Sequence, residues 1–149
     1  MSSEKANEYK LKGNEALKQG NFEQAIQFYS EGIKIQPNHE LYSNRSAANY
    51  ALGFYDQALE DANQTIQLNP NWAKGYFRKG QALLGVTGQL EDALEQFRIG
   101  LSKDSENDLL KKWEHDVSQA IEYKKKGNEA LKNGDLNTAI DAYTKGLEY

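Results

Sequence analysis

Bulky and small side chains follow one another along the chain at helical spacing. Between Ala6 and Ile35, Tyr9, Leu17, Phe22 and Tyr29 supply bulk around the small residues Gly13, Ala25 and Gly32. Two helices that cross closely need that arrangement of small against large. Gln19-Gly20-Asn21 is a turn signal in the middle of the segment, so the pattern predicts a helix, a tight turn and a second helix. The pattern returns from His39, with Tyr42, Ser46, Ala58, Thr65 and Pro70 in the matching places and a turn at Gly53-Phe54. It returns again from Ala73, with Tyr76, Gly80, Ala93, Phe97 and Gly100 and a turn, carrying one inserted residue, within Gly85-Val86-Thr87-Gly88. After Asp104 the pattern changes. Leu110, Trp113, Val117 and Ile121 recur at spacings of three and four, which predicts an amphipathic helix with an N-terminal cap from Ser105 and Asp108.

Pro37 recurs as Pro70, Ala25 as Ala58 and Tyr42 as Tyr76, at shifts of 33 or 34 residues. That is the tetratricopeptide period. The expected fold is therefore all-α, a tetratricopeptide-repeat superhelix: an α-solenoid of helix-turn-helix units with a C-terminal capping helix. Repeats are expected at about 6–38, 39–72 and 73–105 and a cap at 106–119, together a three-repeat domain over 1–119. The cap covers an apolar face that a last repeat would otherwise leave in water. A shift of 114 then aligns Ala6–Ile35 with Ala120–Tyr149, with 16 of 30 positions identical, so 120–149 reads as the first, truncated repeat of a second domain. No Pro or Gly interrupts Leu109 to Lys126, which lets the capping helix run straight into this fourth unit. A lone unit cannot bury its own apolar face, so self-association through the fourth unit is an expectation.

Composition narrows the function classes. The 149 residues carry a formal net charge of −4, which gives no overall electrostatic reason to expect nucleic acid or an anionic membrane as partner. Without cysteine there is no thiolate catalysis and no Cys-based zinc site. No secretory leader and no run of about 18 apolar residues is present, so a cytoplasmic location is expected. His39 and His115 lack neighbouring ligands for a metal, and Trp72 and Trp113 read as packing residues. No cofactor is implied. With no nucleophile beside a base and no phosphate loop, the chain does not read as an enzyme.

The first helices of the units line the inner surface of such a solenoid. Lys10 and Asn14 stand at unit positions 5 and 9, Asn44 at position 6, and Lys74 and Arg78 at positions 2 and 6. At about 100° per residue these fall within one arc, so three successive helices point two lysines, one arginine and two amides at a common space. A chain terminus ending in an acidic residue presents two adjacent carboxylates. Ammonium and guanidinium groups bind such oxygens by charge-assisted hydrogen bonds, while asparagine amides hold peptide backbone. Lys12, Arg45 and Lys79, all at unit position 7, read as structural, their stems covering apolar surface.

Tyr-Lys-x-Lys-Gly-Asn (9–14), Leu-Tyr-Ser-Asn-Arg-Ser-Ala-Ala (41–48) and Lys-Gly-Tyr-Phe-Arg-Lys (74–79) resemble the carboxylate-clamp tetratricopeptide domains of the heat-shock-protein organising co-chaperone (stress-inducible phosphoprotein) family. The resemblance covers about residues 6–119. It implies that Lys10, Asn14, Asn44, Lys74 and Arg78 grip the terminal Glu-Glu-Val-Asp of a seventy-kilodalton or ninety-kilodalton heat-shock chaperone, the seventy-kilodalton class favoured. It further implies that Ala47 lies beside a small hydrophobic pocket, and that Lys124 and Asn128 repeat the first two clamp positions as a partial second clamp. Phe77 departs from the short polar residue expected between the lysine and arginine, which bears on that wall of the groove. Two rivals stand beside this reading: a clamp that targets an attached enzyme to chaperones, and a scaffold that holds an internal segment of another protein.

Overall fold

The computed structural model describes residues 2–86 and 89–148. Eight helices follow in order: α1 (Ser2–Lys18), α2 (Phe22–Ile35), α3 (His39–Ala51), α4 (Tyr55–Leu68), α5 (Ala73–Val86), α6 (Leu90–Lys103), α7 (Asp108–Lys132) and α8 (Leu136–Gly146). There is no strand among the described residues. Each helix packs on the next, and α3 also touches α1 and α5, so these three form a continuous inner layer. This is the stacked helix-pair solenoid expected from the repeat.

Three of the four intra-unit turns share one chemistry. Gly20, Gly53 and Gly134 adopt positive φ of 79°, 81° and 81°. In each case the following residue's N–H reaches back to an orphan helix carbonyl: Asn21 to Ala16, Phe54 to Asn49 and Asp135 to Ala130, all at 2.8 Å. A left-handed residue after the last turn is where glycine escapes the Cβ penalty. The third unit differs from expectation. Gly85 and Val86 are helical rather than turn residues, and Gly85 is small because the Tyr55 ring lies where its Cβ would be. Thr87 and Gly88 fall outside the described residues.

Close helix crossing explains the repeated spacing of small against bulky residues. A Cβ on Gly13, Gly80 or Gly127 would run into the rings of Tyr29, Phe97 and Tyr143 respectively. The second unit uses a different device, a hydroxyl: Ser46 donates to the Ala58 carbonyl at 2.8 Å in a fully buried position. Two apolar clusters result. One joins Ala16, Ala25, Tyr29, Leu41 and Ala48 across the first two units. The other joins Phe77, Phe97, Leu110, Val117 and Ile121 under α7, with Trp113 packed against it.

The cap of α7 is Asn107, whose side chain accepts from the Leu110 N–H, and not the expected pair Ser105 and Asp108. Asp108 is instead the first helical residue, where its charge favours the N-terminus. The helix runs 25 residues without a break, so one helix both caps the third unit and opens the fourth. Ile121, beyond the expected boundary at 119, still belongs to the third unit's core. The fourth unit leaves Leu131, Leu136, Ile140 and Leu147 at 53%, 59%, 54% and 87% exposure. Their counterparts in the first unit, Leu17, Phe22, Ile26 and Ile33, pack against the cluster that α3 completes with Leu41 and Ala48.

Candidate functional site

The inner layer places the five predicted residues in one connected set. Asn14 on α1 is its hinge: its Oδ1 accepts from the Tyr29 hydroxyl at 2.7 Å and from the Asn44 amide on α3 at 2.9 Å. With that oxygen doubly used, the Asn14 amide N–H groups remain donors for a ligand. Tyr29 is fully buried, and burial pushes its hydroxyl pKa up to about 12, opposed by the charge of Arg78 on α5. The tyrosine therefore stays a neutral donor and fixes the orientation of Asn14.

Among the described residues, the hydrogen-bond partners of Arg78 are neutral. Its Nε donates to the Ser43 hydroxyl at 3.4 Å and another guanidinium nitrogen to the Gln81 side-chain oxygen at 3.2 Å, while its plane sits 5.5 Å from the Phe77 ring centroid. Burial pulls its pKa down to about 10, with Tyr29 opposing, so the group is charged at neutral pH and poorly compensated. Lys74, one turn earlier, is lowered by burial and then by Arg78, with Glu40 opposing. Its ammonium lies 5.5 Å from the Trp72 ring centroid. Neither cation has a carboxylate partner within ion-pair distance among the described residues.

Lys10 does have one. Its ammonium donates to Glu40 Oε2 at 2.9 Å, bridging α1 and α3. The hydrogen bond from Lys10 holds the Glu40 carboxyl below its ordinary range, opposed by burial and assisted by the charges of Lys10, His39 and Lys74. Hydrogen bonds join Lys10 to Glu40 and Tyr29 and Asn44 to Asn14, and the charges of Glu40, Lys74 and Arg78 act on one another and on Tyr29 across the inner layer. Sequence reasoning omitted Glu40, Tyr29, Ser43 and Gln81 from this set. The repeat register was a usable signal, because Glu40 shares unit position 2 with Lys74, Ser43 shares position 5 with Lys10, and Gln81 shares position 9 with Asn14.

Phe77, between Lys74 and Arg78 in sequence, is a core residue over whose ring the Arg78 guanidinium lies. It is 5% exposed and packs edge-on against Trp113, with ring centroids 5.5 Å apart, and against Phe97. Ala47 is half-buried on α3. Lys124 and Asn128 lie apart from the five. Asn128 accepts from the Tyr143 hydroxyl, reproducing the Asn14–Tyr29 contact, and Lys124 borders an apolar cleft with Leu84, Leu90 and Val117.

Two of the other basic residues, Arg45 and Lys12, have acidic partners within the fold. Arg45 donates to both oxygens of buried Asp61 at 2.9 and 2.7 Å and to Ser30, with Asn49 completing the carboxylate's partners. Lys12 pairs with Glu8 at 3.4 Å and lies over the Tyr9 ring. Trp72 meets His39 edge to face at 4.8 Å, where the second and third units join. Among the described residues no cluster of three or more metal-ligating side chains occurs, and no helix is long and apolar enough to cross a membrane.

Residues 6–39 and 48–108 match the tetratricopeptide-repeat family. The Hsp70-Hsp90 organizing protein of Triticum aestivum is 45% identical over 116 residues, which are 77% of this chain and 20% of that protein. The chain thus spans about a fifth of the length of this relative. Among solved structures, the first TPR of Spaghetti (RPAP3) bound to HSP90 peptide SRMEEVD superposes with a TM-score of 0.74 at 32% identity, covering 80% of this chain and 94% of that one. The second TPR domain of the human RPAP3 protein in complex with HSP70 peptide SGPTIEEVD also gives 0.74, at 28% identity, covering 79% and 98%.

Proposed function

This chain belongs to the tetratricopeptide-repeat family, and on that premise we propose that its inner groove captures the acidic C-terminal tail of a heat-shock chaperone. It is an adaptor module of a cytoplasmic co-chaperone and performs no reaction itself. The observation that carries the reading is the cationic pair of half-buried Arg78 and Lys74 one turn before it, with no carboxylate of the described residues within ion-pair distance of either.

A free α-carboxylate and the side chain of a terminal aspartate supply the two missing anions at close spacing. The guanidinium and the ammonium supply charge-assisted hydrogen bonds, and the Asn14 amide donates to peptide backbone or carboxylate. Both peptides held by the similar structures end in Glu-Glu-Val-Asp, which supports this class of ligand. The seventy-kilodalton chaperone is favoured over the ninety-kilodalton one, in line with the resemblance to the organising co-chaperone. Lys124 and Asn128 repeat the first two clamp positions and are read as a partial second clamp.

The test is a titration with an acidic tail peptide in two forms, free and C-terminally amidated. The free form should bind at least tenfold more tightly, because amidation removes one anion and its charge-assisted bonds, worth about 1.5–3 kcal/mol each. Equal affinity would mean that the groove holds an internal segment instead. Parallel titrations with the two chaperone tails decide between the classes.

A further inference from the structure

We propose that Glu40 is an internal competitor in this groove: a built-in carboxylate that occupies Lys10 and must release it before a partner's acidic tail can take its place. The proposal rests on the tail-binding reading above. It starts from a simple conflict, since the Lys10 ammonium is assigned to a ligand anion yet already donates to Glu40 at 2.9 Å.

The pairing is not a routine contact within one helix. Lys10 and Glu40 are 30 residues apart, on α1 and α3, and their side chains are 19% and 48% exposed. The carboxylate therefore stands at the mouth of the cradle, partly in water, while its partner cation lies deeper. It also feels the charge of Lys74 from α5, so the one acidic side chain in the set is drawn toward the cations at both edges. Three cations and one carboxylate leave the cradle two positive charges, which is the number that an aspartate-terminated chain neutralises. A pair whose carboxylate stands half in water is weaker and more salt-sensitive than a fully buried one, hence displaceable by a ligand that brings two carboxylates at once.

Two bland readings compete. Glu40 lies in the first turn of α3, where a negative charge suits the helix dipole, and an ion pair between α1 and α3 could merely staple two units. Both predict that neutralising Glu40 lowers stability and leaves tail binding unchanged or weaker, since Lys10 loses its anchor. Displacement predicts the opposite sign for binding.

The deciding experiment measures the affinity of the whole chain for a free-ended Glu-Glu-Val-Asp peptide at low salt, in the parent, Glu40→Gln, Lys10→Ala and the double variant, with melting curves to confirm folding. Glu40→Gln should tighten binding about three- to fivefold, and the gain should vanish when Lys10 is alanine. Unchanged or weaker binding by Glu40→Gln overturns the inference while leaving tail binding intact. A gain that persists without Lys10 overturns the competition for Lys10, because Glu40 would then act only as a distant like charge. If none of the four proteins binds the peptide, the tail-binding reading falls and takes this one with it.

Discussion

Arg45 and Arg78 stand on successive inner helices, at the same kind of buried edge, with opposite surroundings. Arg45 meets Asp61 through two hydrogen bonds of 2.9 and 2.7 Å, with Ser30 and Asn49 completing the set. Arg78 meets a serine hydroxyl, a glutamine oxygen and a phenylalanine ring, and no carboxylate among the described residues. In the first case the charge is answered within the fold, and the pair locks α3 to α4. In the second, burial disfavours the charged form and outweighs the opposing Tyr29 hydroxyl, so on the proposed function an arriving anion supplies the compensation that is missing. What faces each arginine gives Arg45 a structural role and, on the proposed function, leaves Arg78 for binding.

That division is open to attack by substitution. The largest effect should come from Arg45→Ala, which strands the Asp61 carboxylate at 4% exposure and should cost about 3 kcal/mol in denaturant unfolding. Tail affinity of the folded fraction should hold. Lys74→Ala should reverse the balance, weakening tail binding about tenfold at low salt and less at high salt, with little change in unfolding. Tyr29→Phe removes the bond that orients Asn14 and should cost about 1 kcal/mol of stability. The matching change Tyr143→Phe should cost less, because its partner contact is solvent-exposed. The smallest effect is local: α8 amides should exchange faster than those of α2, since the face of Leu136 and Ile140 is uncovered. Protection of α8 that rises with protein concentration would reveal the self-association expected of the fourth unit.

The repeat made most of this legible. A period of 33 or 34 residues fixed the helix pairs, and unit positions placed Lys10, Asn14, Asn44, Lys74 and Arg78 on one arc before any coordinates. Features set by tertiary contact were less visible. Gly85 looks like a turn glycine in sequence, yet it is helical because the Tyr55 ring needs its space. Phe77 sits between Lys74 and Arg78 in sequence yet packs into the core against Phe97 and Trp113, contacts that only the fold supplies. Asn107 wins the cap over Ser105 because the chain turns at 105–106 before the helix begins. Glu40 was overlooked because an acidic residue in a first helical turn has a local explanation, and only the fold brings Lys10 beside it.

The central claim is that Arg78 is a cation awaiting an anion. Calorimetric titration of the parent and Arg78→Ala with a free-ended Glu-Glu-Val-Asp peptide at low salt tests it most directly. At least tenfold weaker binding by the variant, with a melting temperature unchanged or raised, is the result predicted. Equal affinity in the two proteins would contradict the account.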